Sequence, residues 1–270
     1  MNTLYQHLAG ESLSDALVRL EAEIKVRPAD ADLRAAFVQF LTLSGNWTRA
    51  LTQLKSWLAL KPQAKPTVTL LEQSILGELQ RAQVMAGQAR PAMPETQWPW
   101  LTTLAAALND AGERAQALRL EALEQAQATA GQITLENDET QAFAWLMDGD
   151  ARLGPVCETI VNGRYFWLPF NAIAEIRFQA PASVTDLVWR HALVRLTDGT
   201  EQVCQIPARY PFAADASDAV KLARTTEWLP LDNDGTLYEG MGQKAWLSEQ
   251  SESPLLSLNL VTFAADGAHE

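Results

Sequence analysis

The sequence predicts an α+β fold: a tetratricopeptide-like α-α superhelix followed by a small, mostly antiparallel β domain with one short helix. Residues 12–130 are rich in Ala, Leu, Glu and Gln and place apolar side chains three and four residues apart, which is typical of amphipathic helices. Part of this region repeats every 34 residues. From about residue 140 the helical spacing stops and strand-like segments begin. We therefore predict a helical repeat domain over residues 1–132 and a mostly-β domain over residues 133–270.

The composition is that of a soluble globular protein with an acidic balance. Of the 270 residues, 47% are hydrophobic and 20% are charged, and the net charge is −12. Because an acidic surface repels phosphates, we expect neither nucleic acid nor a membrane as a partner. The first residues, "MNTLYQHLAG", have no basic start or apolar run, and no segment reaches the length of a membrane span. We therefore expect a cytoplasmic protein.

The helical repeat is clearest in its first two copies, whose spacing of 34 residues is the tetratricopeptide period. In the second copy, Gly45 releases a first helix, Trp47 fills a bulky position and Ala50 allows close helix approach, while Pro62 ends the unit. Seven positions of the first copy have a counterpart of the same type in the second: Leu13, Ala16, Leu17, Leu20, Ile24, Val26 and Pro28 correspond to Trp47, Ala50, Leu51, Leu54, Leu58, Leu60 and Pro62. Two later pairs keep only the Gly-to-Ala spacing of five and have drifted: Gly77/Ala82 and Gly112/Ala117.

Stacked helix pairs leave a concave surface suited to a peptide or a helix. Packed helices without a ligand are the alternative interpretation of the same pattern. The segment "RPAMPETQWPW" (90–100) carries three prolines and two tryptophans, and we expect a loop that packs against a neighbouring helix.

The second half contains strand and turn signals. "PVCETIVNGRYFWLP" predicts a hairpin that turns at Asn162-Gly163, the pair favoured in type I′ turns, with Glu158 on the same face as Val156 and Ile160. The remaining predicted elements are a strand over 172–178, a hairpin over 191–207 that turns at Asp198-Gly199, a short helix over 217–228 and a strand over 253–263.

The sequence offers no catalytic set. It has three histidines, His7, His191 and His269, with no metal-ligand spacing, and it lacks a nucleophile elbow and a phosphate loop. Cys157 and Cys204 lie in apolar runs and are expected to be buried, reduced thiols. One acidic cluster, which is either a solvated loop rim or an acid–base pair, consists of Glu136, Asp138, Glu139, Asp148 and Asp150. We therefore expect no enzyme, no cofactor and no metal.

Several segments of the second half resemble the ImpE/SciE (TagJ-like) accessory proteins of bacterial type VI secretion systems. They lie in the family's order over about residues 145–244: "WLMDGDARLGPVCETIVNGRYFWLPFNAI", "TDLVWRHA", "PARYP", "LARTTEW" and "GMGQK". The chain departs from the family at two positions. Members often carry a larger residue, or one flanked by acidic residues, where this chain has Cys157, and Arg where it has Lys244. The family also has a helical, repeat-like N-terminal region, so the resemblance extends to the whole chain.

The resemblance implies a non-enzymatic, cytoplasmic accessory factor without a cofactor. Members hold a short N-terminal helix of the small sheath subunit, which ties them to sheath assembly or to disassembly by the AAA+ ATPase. The motif residues either pack the fold or contact the partner, and the candidates for partner contact are Arg152, Tyr165, Trp167, Arg209, Tyr210 and Trp228. Two alternatives stay open: a generic helical-repeat interaction scaffold, and a hydrolase that uses the acidic residues near Asp148 and Asp150.

Overall fold

The computed structural model describes residues 10–264 and begins with a run of helices. The helices span α1 Leu13–Val26, α2 Ala31–Leu43, α3 Trp47–Leu60, α4 Lys65–Met85, α5 Trp100–Ala106, α6 Gly112–Gln125 and the later, single-turn α7 Asp218–Lys221. Consecutive helices from α1 to α4 pack against one another. None of the helices in the described part is long and apolar enough to cross a membrane.

Helices α1 and α3 occupy equivalent positions, as the 34-residue register predicts. Ala16 and Ala50 are both fully buried, and so are Leu20 and Leu54, which lie one turn further along each helix. Each helix ends just before a proline that cannot continue it. The first two copies of the repeat therefore have the same packing face.

Gly77 does not mark a third repeat turn. It lies in the middle of the 21-residue helix α4, where a Cβ atom would come within 2.4 Å of Ile160 Cγ2. The glycine therefore allows α4 to approach the sheet closely. Gly112, by contrast, opens α6 just after the 3₁₀ segment Ala107–Asn109 and has a left-handed φ of +59°, as Gly45 has in the α2–α3 turn.

The remainder of the described chain is built from antiparallel strands. They span β1 Gly131–Leu135, β2 Thr140–Phe143, β3 Met147–Asp148, β4 Val156–Val161, β5 Arg164–Pro169, β6 Ile173–Phe178, β7 Trp189–Leu196, β8 Glu201–Pro207, β9 Thr226–Pro230, β10 Tyr238–Gly242, β11 Ala245–Leu247, β12 Glu252–Pro254 and β13 Leu258–Phe263. Eight of them form one sheet in the order β2-β1-β13-β6-β7-β8-β4-β5. Strands β9 and β10 form a ribbon, and β12, β11 and β3 form a three-stranded sheet. The α+β fold class is confirmed, with a larger sheet than expected.

The β4–β5 hairpin turns where the sequence predicts it. Asn162 and Gly163 have φ values of 49° and 80°, and a type I′ turn requires positive φ at both positions. Val156 and Ile160 belong to the core on the helix side of the sheet, whereas Cys157 belongs to the core on the opposite side. The predicted alternation of faces is therefore confirmed.

Two predicted elements differ in the structure. The helix expected over 217–228 ends at Lys221, because Ala223 takes a left-handed φ of 53° and Thr226–Pro230 pairs with β10 instead. The strand expected over 253–263 is interrupted by a 3₁₀ turn over Leu255–Ser257. The loop over 90–100 packs Met93 and Trp98 against the core that contains the helices, and it also bonds through Ala92 to strand β5, the edge of the large sheet.

The helices and the large sheet share one hydrophobic core. Its buried members include Leu71 and Ile75 from helix α4 as well as Trp167 and Trp189 from the sheet. A second core on the other face of the sheet contains Trp246 from the three-stranded sheet. The helical and β parts thus pack on each other directly, and the division at residues 132 and 133 stays a prediction about independent folding.

Candidate functional site

A buried ionic network joins helix α4 to the sheet and to the C-terminal strands. Lys244 Nζ donates a hydrogen bond to Asp148 Oδ2 at 2.5 Å and lies 2.7 Å from Glu158 Oε2. Arg81, on α4, donates from Nε and Nη2 to the two oxygens of Glu158 at 2.7 and 2.8 Å. All four side chains are buried, so three distant parts of the chain meet in one set of paired charges.

Aromatic side chains complete the hydrogen bonds of this network. The Tyr165 hydroxyl donates to Glu158 Oε1 at 2.5 Å and accepts from Trp167 Nε1 at 2.8 Å. Trp189 Nε1 donates to Glu78, which lies one turn before Arg81 on the same helix. Buried charges are tolerated when they are paired and hydrogen-bonded, and Glu158 meets both conditions.

The two central carboxyl groups have different proton affinities. Burial raises the pKa of Asp148 to about 6, which is more than the neighbouring Lys244 ammonium offsets. Burial also disfavours ionised Glu158, but the charges of Arg81 and Lys244 hold the pKa of Glu158 well below its usual range. Burial lowers the pKa of Lys244, yet Asp148 and Glu158 together raise it above its ordinary value. On acidification, Asp148 therefore takes a proton before Glu158 does.

A second buried ion pair lies beside the first. Arg152 donates from Nε and Nη2 to the carboxylate of Asp150, the latter at 2.5 Å, and its Nη1 lies 2.9 Å from Glu239. Trp228 packs directly on Gly149, where a Cβ atom would come within 2.2 Å of its ring. Its ring centroid lies 5.7 Å from that of Tyr210, whose hydroxyl donates to Asp148. These contacts attach the β9–β10 ribbon to the network.

Arg209 fixes the ends of two helices. Its Nη1 donates to the carbonyl oxygens of Leu43 and Lys221, and its Nη2 donates to that of Thr42. A cation at a helix C-terminus satisfies carbonyl groups that have no partner inside the helix and complements the helix dipole. Burial lowers the pKa of Arg209 to about 9.

The structure places the six candidate contact residues in or beside this network. Tyr165, Trp167, Arg209 and Tyr210 are buried and hold elements of the fold together. Arg152, with 12% of its side chain exposed, and Trp228, which is half-buried, reach the surface. Direct contact of any of the six with a partner stays a prediction.

Sequence reasoning missed Arg81, Glu78 and the role of Lys244. The available signal was Glu158, because a glutamate predicted to share a face with Val156 and Ile160 must be buried and needs a cationic partner. Its partners are 77 and 86 residues away along the chain, so local spacing does not point to them.

The acidic cluster separates into two groups. Glu136, Asp138 and Glu139 are exposed at the β1–β2 turn, as the solvated-rim interpretation predicts, whereas Asp148 and Asp150 are buried in ion pairs. Within residues 10–264 no group of three His, Cys, Asp or Glu side chains is placed to hold a metal ion. His7 and His269 lie outside the described residues. Both cysteines are buried free thiols.

An open cleft lies close to the network. It has a volume of about 760 Å³ and runs between the start of α1, the α2–α3 turn and the segment 212–218. A smaller pocket of about 120 Å³, lined by Glu78, Arg81 and Arg209, shares Trp47 and Phe212 with the cleft. An apolar groove of about 350 Å³ is lined by the 92–98 loop and by the adjoining edge of the sheet. Asp148 and Asp150 line none of these three concavities.

Known proteins match this chain in sequence over most of its length and in structure over all of it. Residues 140–262 match the family described as ImpE protein. The chain is 38% identical over 256 residues to the type VI secretion system accessory component TagJ of Pseudomonas aeruginosa PAO1. The aligned region covers 93% of this chain and 87% of that protein. The X-ray crystal structure of protein VPA1032 from Vibrio parahaemolyticus superposes with a TM-score of 0.85 at 26% identity and covers all of both chains.

Proposed function

Because the chain belongs to the ImpE/TagJ family of type VI secretion accessory components, we propose that it is a non-enzymatic adaptor of such a system. In this role it binds the short N-terminal helix of the small sheath subunit and links the sheath to assembly or to disassembly by the AAA+ ATPase. We also propose that it acts in the cytoplasm.

The observation that carries the proposal is that the buried carboxylates of the network lie apart from the large concavities at the surface. The carboxylates of Asp148 and Glu158 are paired with Lys244 and Arg81 inside the protein, where they tie α4, β3 and β4 to the residue that precedes β11. The large concavities are lined mainly by apolar and neutral polar side chains, including Trp47, Phe212 and Trp98. A groove of this kind suits an amphipathic helix that is anchored by a few large side chains.

The hydrolase alternative has no support in this arrangement. It requires a pocket in which Asp148 or Asp150 meets a substrate together with Arg152 or Arg209. Both carboxylates are instead enclosed by their cationic partners and by the Tyr210 hydroxyl. The generic scaffold differs from the adaptor only in its partner, so a binding experiment separates those two.

Isothermal titration of the purified protein with the N-terminal peptide of the small sheath subunit tests the proposal. We expect binding with micromolar or tighter affinity, and the same affinity range for the intact pair of sheath subunits. If neither the peptide nor the intact pair binds, the sheath assignment is wrong and the generic scaffold is favoured.

A further inference from the structure

Helix α6 buries small side chains and turns two leucines outward. Its buried residues are Ala115 and Ala122, whereas Leu120 and Leu123 are 39% and 38% exposed. In a surface helix, the apolar stripe normally faces the core of the same protein. Because they are three residues apart, Leu120 and Leu123 are neighbours on the helix surface. Helix α6 therefore presents an apolar face to the solvent.

The β9–β10 ribbon adjoins this face. Gln116, which lies one turn before Leu120 on the same side of α6, donates from Nε2 to Asp232 Oδ2 in the β9–β10 loop at 3.3 Å. The ribbon exposes two further large apolar side chains, Leu229 and Tyr238. Helix α6 and the ribbon thus hold four of the ten large apolar side chains that are exposed in the described part of the chain. Single exposed apolar residues are ordinary, but a concentration of them marks an interaction site.

The charges on these two elements are mainly negative. Residues 112–125 and 226–242 together contain seven carboxylates and two guanidinium groups. Five of the carboxylates are exposed: Glu113, Glu121, Glu124, Glu227 and Asp234. Of the two cations, Arg114 pairs with Asp110 at 3.3 Å, and Arg119 donates to a backbone carbonyl oxygen. Glu239, which is half-buried, is paired with Arg152. The exposed apolar side chains therefore lie among an excess of negative charge.

This charge distinguishes between possible occupants of the apolar face. A second copy of the chain would bring the same carboxylates against each other, and like charges across an interface are unfavourable. A helix with Lys or Arg beside its apolar side chains would pair its cations with these carboxylates. The aliphatic stems of Lys and Arg would also cover apolar surface while the charged ends reach the carboxylates. The surface thus fits a helix that is both amphipathic and basic.

We propose that the outward face of α6 and the adjoining ribbon bind a basic amphipathic helix of a protein partner. The apolar side chains of that helix pack on Leu120 and Leu123, and its cations pair with Glu121, Glu124 and Glu227. This surface shares no residue with the three concavities described above. The proposal therefore goes beyond the sheath assignment and gives the adaptor a second docking surface.

A matched pair of double variants tests the apolar part of the surface. Leu120→Gln/Leu123→Gln removes the two outward leucines, and Leu70→Gln/Leu76→Gln removes two leucines of α4 that are 40% and 42% exposed. Leu and Gln have similar helix propensities, so both proteins should fold. The probe is a synthetic helical peptide with Leu on one face and Lys on the other. We expect the first variant to bind it about tenfold more weakly than the wild type by calorimetry, and the second to bind it as the wild type does.

The charge requirement is tested on both partners. A second peptide carries Glu in place of every Lys, and we expect it not to bind the wild type. In the protein, Glu121→Gln/Glu124→Gln should weaken binding of the Lys peptide by about threefold, and the control Glu72→Gln, at an exposed position of α4, should leave it unchanged. Added salt should reduce the difference between the wild type and the Glu121→Gln/Glu124→Gln protein, because it screens exposed charges.

Three results would overturn the surface proposal. They are failure of the Lys peptide to bind, equal binding to the wild type and the Leu120→Gln/Leu123→Gln protein, and equal binding of the Lys and Glu peptides. Sedimentation adds a fourth: if the wild type dimerises and the Leu120→Gln/Leu123→Gln protein does not, a second copy covers the face instead.

Titration of the sheath peptide into the same proteins separates this proposal from the proposed function. If the sheath peptide binds and the Lys peptide does not, the sheath assignment stands and the surface proposal fails. If only the Lys peptide binds, and does so through Leu120 and Leu123, the surface stands and the sheath assignment fails. A loss of sheath-peptide affinity in the Leu120→Gln/Leu123→Gln protein would support both and identify the occupant.

Discussion

At the residue scale, Lys244 is the side chain on which the buried network depends most. It neutralises Asp148 and Glu158 at once, and its ammonium group lies over the Tyr210 ring, with Nζ 4.4 Å from the ring centroid. Removing one partner of a buried pair leaves an uncompensated charge and typically costs about 3–5 kcal/mol. We expect Lys244→Met to lower the free energy of unfolding by about that amount at pH 7, measured by urea denaturation.

The matched control is Lys61→Met, which removes a surface pair with Asp32. The two side chains are 49% and 86% exposed, and such pairs contribute about 0–1 kcal/mol. Equal effects of the two substitutions would contradict the stabilising role assigned to Lys244. We expect Lys244→Arg to retain most of the stability, because it keeps the cation.

Asp148 gives the folding free energy a defined pH dependence. Its pKa rises from an ordinary 3.8 to about 6 in the folded protein, so the folded state holds this proton more tightly than the unfolded state. The resulting stabilisation is fully present below about pH 4 and is lost as the pH rises through 6. Relative to Asp148→Asn, which has no proton to lose, the wild type should lose on the order of 3 kcal/mol over this window.

Urea denaturation of both proteins from pH 4 to pH 7.5 measures this difference. Glu158 acts in the opposite sense. Its lowered pKa stabilises the folded state at pH values above the ordinary pKa of a glutamate, and this stabilisation is lost in acid. Because Glu158 is present in both proteins, its contribution cancels in the comparison. Asp138→Asn, in an exposed turn, serves as the control and should give a constant difference. A constant difference for Asp148→Asn as well would show that Lys244 keeps Asp148 ionised throughout.

At the element scale, Gly77 sets the distance between helix α4 and the sheet. Alanine is favoured over glycine in a helix by about 1 kcal/mol, but here its Cβ would overlap Ile160. Because Ile160 is β-branched and buried, it has little room to move, so we expect Gly77→Ala to destabilise the protein by about 1–3 kcal/mol. In an Ile160→Ala background the overlap is gone, and Gly77→Ala should instead stabilise.

A double-mutant cycle of thermal or urea unfolding measures this reversal of sign. Gly77→Ala acting equally in both backgrounds would mean that the helix and strand are not in the close contact described. The Ile160→Ala protein is itself expected to be less stable, by about 2–5 kcal/mol, because the substitution leaves a cavity. The cycle removes that cost from the comparison.

The elements that the sequence predicts correctly are those with local signals. Asn162-Gly163 and Asp198-Gly199 specify tight turns by their own backbone preferences, and both hairpins form there. The helix predicted over 217–228 is wrong beyond Lys221 because Thr226–Pro230 finds a strand partner in β10, which no local pattern indicates. The charge network was missed for the same reason, since its members come together only in the tertiary structure.

At the scale of the whole molecule, the shared core decides whether the predicted domains are independent. Leu71 and Ile75 of helix α4 pack in one cluster with Val156 and Trp167 of the sheet, and Arg81 neutralises the buried Glu158 across the same contact. Separating the chain at residues 132 and 133 would expose this apolar surface and leave Glu158 without its guanidinium partner.

We therefore expect the fragments 1–132 and 133–270 not to fold cooperatively when expressed alone, despite their different secondary structure. The helical fragment should keep part of its helix signal in circular dichroism but unfold without a sharp transition, because an unpartnered apolar face does not define one packed state. Co-expressed fragments should associate and recover a cooperative transition. Sharp unfolding of 1–132 alone would establish it as a domain and would show that the contact with the sheet is an interface added to a stable helical repeat.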